Sequence, residues 1–246
     1  MRPHDSISNR YTDDVGKRTF VQDLFNRGAP HYDRIGRIGF FGSGHWHRRR
    51  ALERAGLQPG MDALDVACGT GAVTRAAVEI LAGRGRVCGV DPSDGMLAEA
   101  RKSVTGAEFK IGQAEALPFP DASFDFLSMG YALRHVADLG RTFVEYHRVL
   151  RPGGRLLILE ISRPKTRLGL VLARLYFRDV LPGLSWLITG SHDARTMMSY
   201  YWETIDACVP PDAILQALQG AGFQDVERQV ELGIFSAYTA RAKGKL

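Results

Sequence analysis

Apolar and polar positions along the chain follow two periods in alternation. Ala-Val-Thr-Arg-Ala-Ala-Val-Glu-Ile-Leu at 72–81 repeats its apolar side chains at helical spacing and predicts a helix, as do residues 138–150 and 211–221. Between them lie short apolar runs: Leu64-Asp65-Val66, residues 86–90, residues 108–111, residues 123–129 and residues 155–160. Runs of that length predict strands. Strands alternating with helices predict an α/β chain with a mostly parallel sheet and helices on both faces. The order ends differently. Residues 223–230 and 233–241 alternate with the period of a strand and predict a closing hairpin.

Two segments depart from that alternation. Residues 1–20 are polar and mixed in charge and are expected to be loosely ordered. Residues 21–32 carry Val21, Leu24 and Phe25 at helical spacing. The glycines of residues 36–44 then predict a mobile stretch presenting Phe40 and Phe41. Between the fifth and sixth strands, residues 163–207 hold a dense apolar run with Arg167, Arg174 and Arg178 inside it, followed by Trp186, Met197, Met198, Tyr200, Tyr201 and Trp202. These are helices packed on the sheet, a lid over an oily pocket, or a surface that meets a membrane. Aromatics and methionines inserted here suit a lipid-like ligand.

At 246 residues and 45% hydrophobic content, one domain over residues 21–246 can bury a full core. Within it, residues 21–55 are the segment expected to cover the substrate and residues 163–207 the helical lid. A net charge of +5 is only mildly basic. Arg48-Arg49-Arg50 has no aromatic interleaving and reads as the solvated start of a helix, so no nucleic-acid partner is expected. Cys68, Cys88 and Cys208 form no paired framework and read as reduced thiols of a cytoplasmic protein. The apolar stretch 180–191 is too short to span a bilayer and contains Pro182-Gly183. His45 and His47 have no Cys, Asp or Glu beside them, so no metal is expected.

The candidate chemistry starts at Asp65-Val66-Ala67-Cys68-Gly69-Thr70-Gly71. A strand breaks here into a glycine-paired loop that opens onto a helix N-terminus, where backbone N–H groups are free. No Lys follows the glycines, which excludes a phosphate-cradling P-loop. Asp91 ends the next strand, at the spacing where an acid accepts hydrogen bonds from ribose hydroxyls. This combination points to a nucleoside site; the alternative is a turn needed only for packing, with Asp91 as a loop cap. Met96, just after Pro92-Ser93, packs either on an adenine or in the core.

The motif at 65–71 resembles the first motif of S-adenosylmethionine-dependent methyltransferases. Tyr32-Asp33, Leu117-Pro118-Phe119, Leu133-Arg134, Arg-Pro-Gly-Gly at 151–154 and the strand beginning at Gly233 are similar to the ubiquinone/menaquinone C-methyltransferase family. That resemblance implies a Rossmann-like class I methyltransferase fold, a seven-stranded sheet with S-adenosyl-L-methionine across its strand ends. It assigns the cofactor to Asp65, Ala67, Gly69, Gly71, Asp91, Pro92, Met96, Gln113, Ala114 and Met129. It implies methyl transfer to the ring carbon of a prenylated benzoquinol or naphthoquinol. Arg134 would orient the quinol oxygen, His135 or a water would take the proton, and Tyr32 would orient the ring. The sequence departs from the family at Gln113, His135 and Asp206, where the family carries an acid, an asparagine and an arginine. These departures keep two rivals open: a methyltransferase of this fold acting on a small natural product, and a non-catalytic cofactor-binding scaffold. The expected partner is a small lipophilic aromatic molecule. Peripheral contact with the inner face of the membrane and a homodimer are left open.

Overall fold

The structure is a computed structural model that describes residues 1–4, 10–11, 13–39 and 42–244. Helices α1 (Asp14–Gly39) and α2 (Gly44–Arg54) precede β1 (Ala63–Val66), α3 (Ala72–Leu81), β2 (Val87–Asp91), α4 (Asp94–Ser103), β3 (Glu108–Ile111) and β4 (Phe124–Gly130). A single tight turn of helix (Leu133–His135) leads to α5 (Leu139–Val149) and β5 (Leu150–Ile161). The inserted segment forms α6 (Arg167–Arg174), a wide helical turn (Leu175–Val180), α7 (Leu181–Thr189) and α8 (His192–Ala207). Helix α9 (Pro211–Gly220) and the hairpin β6 (Phe223–Glu231) and β7 (Phe235–Ala242) close the chain.

The strands form one seven-stranded sheet in the order β3-β2-β1-β4-β5-β7-β6, with β7 antiparallel to both of its neighbours. Strand β1 is buried along its whole length because helices cover both faces. Helices α5 and α9 pack on one face through Phe143, Tyr146, Ile214 and Leu218, and α2 and α3 on the other through Leu52, Val73 and Leu81. A third cluster joins α1 to α6, α7 and α8 above the strand ends. Because β1 pairs with β2 on one side and β4 on the other, consecutive crossovers leave in opposite directions there. A crevice therefore opens at the carboxyl ends of β1 and β4.

Three expectations need correction. Helix α1 runs past residue 32 into the glycine stretch expected to be mobile and ends at Gly39; Pro30 lies on its exposed side, where a missing N–H costs least. The described part of residues 1–20 is tied down rather than loose. The Met1 ammonium meets Asp138 at 2.6 Å, and Tyr11 is buried with its hydroxyl 3.2 Å from that of Tyr200. Finally, the fifth strand starts at Leu150 rather than at 155, with Arg151-Pro152-Gly153-Gly154 as a bulged lead-in: the partner of Phe124 is Leu150, and the next paired residue, Phe126, faces Arg155. Phe40 and Phe41 lie outside the described residues.

Candidate functional site

Strand β1 ends at Val66, and the chain turns at once through left-handed backbone at Ala67 (φ 52°), Gly69 (φ 55°) and Gly71 (φ 84°). Glycine adopts this conformation freely, whereas at Ala67 it costs about 1–2 kcal/mol. The loop is held against that strain by the Cys68 N–H, which donates to the Val90 carbonyl at 3.0 Å. It is also held by Asp91. One carboxylate oxygen accepts from the Gly69 N–H at 2.8 Å and the other from the Ser93 N–H at 2.9 Å. Burial pushes the Asp91 carboxyl up to about 6, with those two N–H groups opposing the rise.

The two glycines do different things. A Cβ on Gly69 would meet only open space. A Cβ on Gly71 would sit 2.8 Å from Val104 at the end of α4, so this glycine permits helix packing and does not reach the crevice. Asp65 is likewise withdrawn. Its carboxylate accepts from Thr74 Oγ1 at 2.6 Å and Ser128 Oγ at 2.8 Å, binding β1 to α3 and β4, and burial pushes its carboxyl up to about 6. Asp65 and Gly71 thus support the loop from behind and do not line the crevice.

The remaining residues converge. Ala67, Gly69, Asp91, Pro92, Met96, Gln113, Ala114 and Met129 line one cavity of about 140 Å³ in the crevice. A buried carboxylate beside an apolar slot of Met96, Ala114 and Met129 matches the sugar and base of a nucleoside. Helix α1 closes over it. Gln22 Nε2 donates to the Pro92 carbonyl at 2.8 Å, Asn26 Oδ1 accepts from Ser93 Oγ at 2.6 Å, and Thr70 Oγ1 donates to Asp33 at 2.5 Å. The Tyr32-Asp33 pair therefore splits its work. Asp33 grips the glycine loop, while the Tyr32 hydroxyl turns to that of Tyr201 at 2.8 Å.

A second cavity, of about 600 Å³, lies beyond those tyrosines. Most of its wall is apolar, from Ile35, Ile161, Leu181, Met198 and Phe235, and Arg48, Arg50, Arg54 and Glu231 line one part of it. Tyr32, Tyr131 and Tyr201 line both cavities. No local pattern in the sequence marks Tyr131 or Tyr201 as a site residue. Tyr131 carries a structural signal: its φ of 62° is unusual for a bulky residue, and such strain collects at functional sites.

Arg134 reaches neither cavity. Its guanidinium is wholly buried, ion-paired with Glu160 of β5, and donates to Thr204 Oγ1 at 3.0 Å and the Tyr131 carbonyl at 2.8 Å. It also lies over the Tyr201 ring, 4.2 Å from the centroid. In this arrangement Arg134 lies behind the tyrosines and lines neither cavity. His135, the next residue, does line the first cavity. Phe25 and Tyr200 flank its ring at 5.3 and 5.5 Å. Both ring nitrogens are buried without a hydrogen-bond partner among the described residues. Burial, and secondly the Arg134 charge, hold the imidazole well below its ordinary value, so it is neutral at pH 7.

His45 and His47 diverge, one to Glu79 and the other to Glu231, each at 3.1 Å. Asp206, one of the departures, pairs at the surface with Arg163 at 3.5 Å. No helix among the described residues is long and apolar enough to cross a membrane.

The model of the ubiE/COQ5 methyltransferase family matches residues 13–241. The demethylmenaquinone methyltransferase of Symbiobacterium thermophilum is 34% identical over 224 residues, covering 87% of this chain and 88% of that protein. The ubiquinone/menaquinone biosynthesis C-methyltransferase UbiE of Shewanella frigidimarina is 35% identical over 217 residues, 86% and 85% of the two chains. Among solved structures, a SAM-dependent methyltransferase from Aquifex aeolicus superposes with a TM-score of 0.62 at 18% identity, covering 85% of this chain and 97% of that one. A possible histamine N-methyltransferase from Thermotoga maritima gives 0.64 at 21% identity, with 90% and 99% covered. These two structures establish the fold.

Proposed function

The chain belongs to the ubiE/COQ5 methyltransferase family, and from that premise we propose that it C-methylates the ring of a prenylated benzoquinol or naphthoquinol in ubiquinone or menaquinone biosynthesis, using S-adenosylmethionine. The observation that carries this reading is the shared wall of Tyr32, Tyr131 and Tyr201 between the crevice lined by Asp91 and Met96 and a larger oily cavity. An aromatic head held at that wall with its tail in the oily cavity meets a donor held in the crevice. When bound, S-adenosylmethionine supplies an electrophilic methyl on a sulfonium.

The chain's own groups divide the rest. Asp91 accepts hydrogen bonds from ribose hydroxyls, and Met96, Gln113 and Ala114 hold the base. Ala67, Pro92 and Met129 complete that surface, and the open side of Gly69 lets the ligand approach the backbone. A quinol ring carbon becomes nucleophilic as its neighbouring hydroxyl gives up a proton. His135 is neutral, lines the crevice and has no hydrogen-bond partner among the described residues, which supports it, directly or through a water, as the acceptor of that proton. Tyr32 orients the ring. Arg134 and Glu160 hold Tyr131 and Tyr201 in place from behind, and alignment alone contributes much of the acceleration.

The test is incubation of the chain with labelled methyl donor and demethylated quinols, alongside small phenols, followed by mass spectrometry. Label on a ring carbon of the quinol is expected. Label on phenols alone would assign the chain to natural-product methylation, and donor binding with no transfer to either class would make it a scaffold.

A further inference from the structure

The outer side of the inserted helices is apolar where a helix surface ordinarily is polar. Leu168, Val171, Leu172 and Leu175 follow helical spacing on one face and are 53–70% exposed. Ala173 and Phe177, on the opposite side, are the buried ones. Leu187 and Trp186 of α7 are exposed as well, at 75% and 45%. A cluster of this kind on two successive helices marks an interaction surface rather than scattered surface leucines.

The charge around it selects the partner. Residues 163–191 contain five cations, Arg163, Lys165, Arg167, Arg174 and Arg178, and one carboxylate, Asp179. That carboxylate is taken up by Arg178 at 3.0 Å, while Arg167 and Arg174 carry no ion pair among the described residues. Uncompensated arginines interleaved with exposed leucines and a tryptophan are what an interfacial helix presents to a negatively charged lipid surface.

The inner side of the same helices supplies a second argument. Leu181, at the start of α7, is a wall of the oily cavity, and the Tyr176 hydroxyl donates to the Gly39 carbonyl at the end of α1, beside that cavity. The inserted helices thus carry exposed leucines outward and, through Leu181, contribute to the wall of the oily cavity. We propose that the face of α6 and α7 docks on an anionic bilayer, with the arginines at the headgroups and the leucines and Trp186 at the acyl boundary. A lipid-soluble acceptor would then pass into the oily cavity without crossing water. That last consequence rests on the acceptor proposed above; the docking does not.

The experiment uses the full chain without donor or acceptor, sedimented with phosphatidylcholine vesicles containing or lacking phosphatidylglycerol. Binding to the phosphatidylglycerol vesicles is expected, falling steeply as salt is raised. R167E/R174E should weaken it by about tenfold or more, and V171D/L187D should remove it, both with unchanged thermal melting because these side chains are exposed. Absence of vesicle binding, or binding indifferent to both variants, overturns the proposal. So does a wild-type dimer, seen by analytical ultracentrifugation, that V171D/L187D splits into monomers without vesicle binding in either form: the face would then be covered by a second copy. None of these readouts depends on which molecule is methylated.

Discussion

The hydroxyls of Tyr32 and Tyr201 lie 2.8 Å apart, joining α1 to α8 at the boundary of the two cavities. Burial, and then Tyr201 itself, raise the Tyr32 phenol well above its ordinary value, so it stays protonated and available as a donor at neutral pH. The two helices come from opposite ends of the chain, and this pair is where the covering helix meets the lid.

Tyr32→Phe should therefore leave donor affinity nearly unchanged, because the contacts of α1 with the crevice run through Gln22, Asn26 and Asp33. Turnover should fall by roughly 10²-fold as the acceptor ring loses alignment. Titration calorimetry with donor and turnover assays with acceptor separate the two effects. Equal losses in both would place Tyr32 in donor binding.

Asp91→Asn should lower donor affinity by about 1–3 kcal/mol, through one altered hydrogen-bonding group in a buried site. In the wild type the carboxylate is ionised above about pH 6. Donor affinity should thus be level at neutral pH and decline as pH falls through 6, and the decline should be absent in Asp91→Asn. Calorimetry across that range decides it.

Asp91 and Asp65 together set a sign for stability. Asp65 and Asp91 are raised from 3.8 to about 6 in the folded chain, so between roughly pH 4 and 6 the folded state binds more protons than the unfolded one. Their contribution to stability rises as pH falls across that window. In denaturant titrations, the stability at pH 5 minus that at pH 7 should be lower when both are replaced by Asn than in the wild type.

Arg134→Ala should destabilise the fold by about 3–5 kcal/mol, because it leaves Glu160 buried without its partner. R134M/E160Q, which removes both charges, should recover most of that loss. If Arg134→Ala melts like the wild type, the ion pair does not organise the tyrosines.

His135→Ala should lower turnover by roughly 10²–10⁴-fold with donor affinity kept. Because the imidazole titrates well below its ordinary value, activity dependent on its neutral form should persist into mildly acidic pH in the wild type. A pH–rate profile whose acidic limb is unchanged in His135→Asn would remove it as the proton acceptor.

The sequence by itself determined the architecture and the position of the crevice. Alternation of strands and helices, the glycines at 69 and 71 and an acid at 91 are local signals, each set by backbone geometry over a few residues. Those signals carry to the observed sheet and to the convergence of Gly69 and Asp91. Only the tertiary structure decided which neighbour faces inward. In the tight turn at Leu133–His135 successive side chains diverge, so Arg134 is drawn to Glu160, distant in sequence, while His135 meets the cavity. The same holds for Tyr131 and Tyr201, whose meeting with Tyr32 depends on how α1 and α8 pack. The apolar run at 163–191 was legible, but its outward face was not, because helical spacing reports that a face exists and not which side of it the rest of the chain covers.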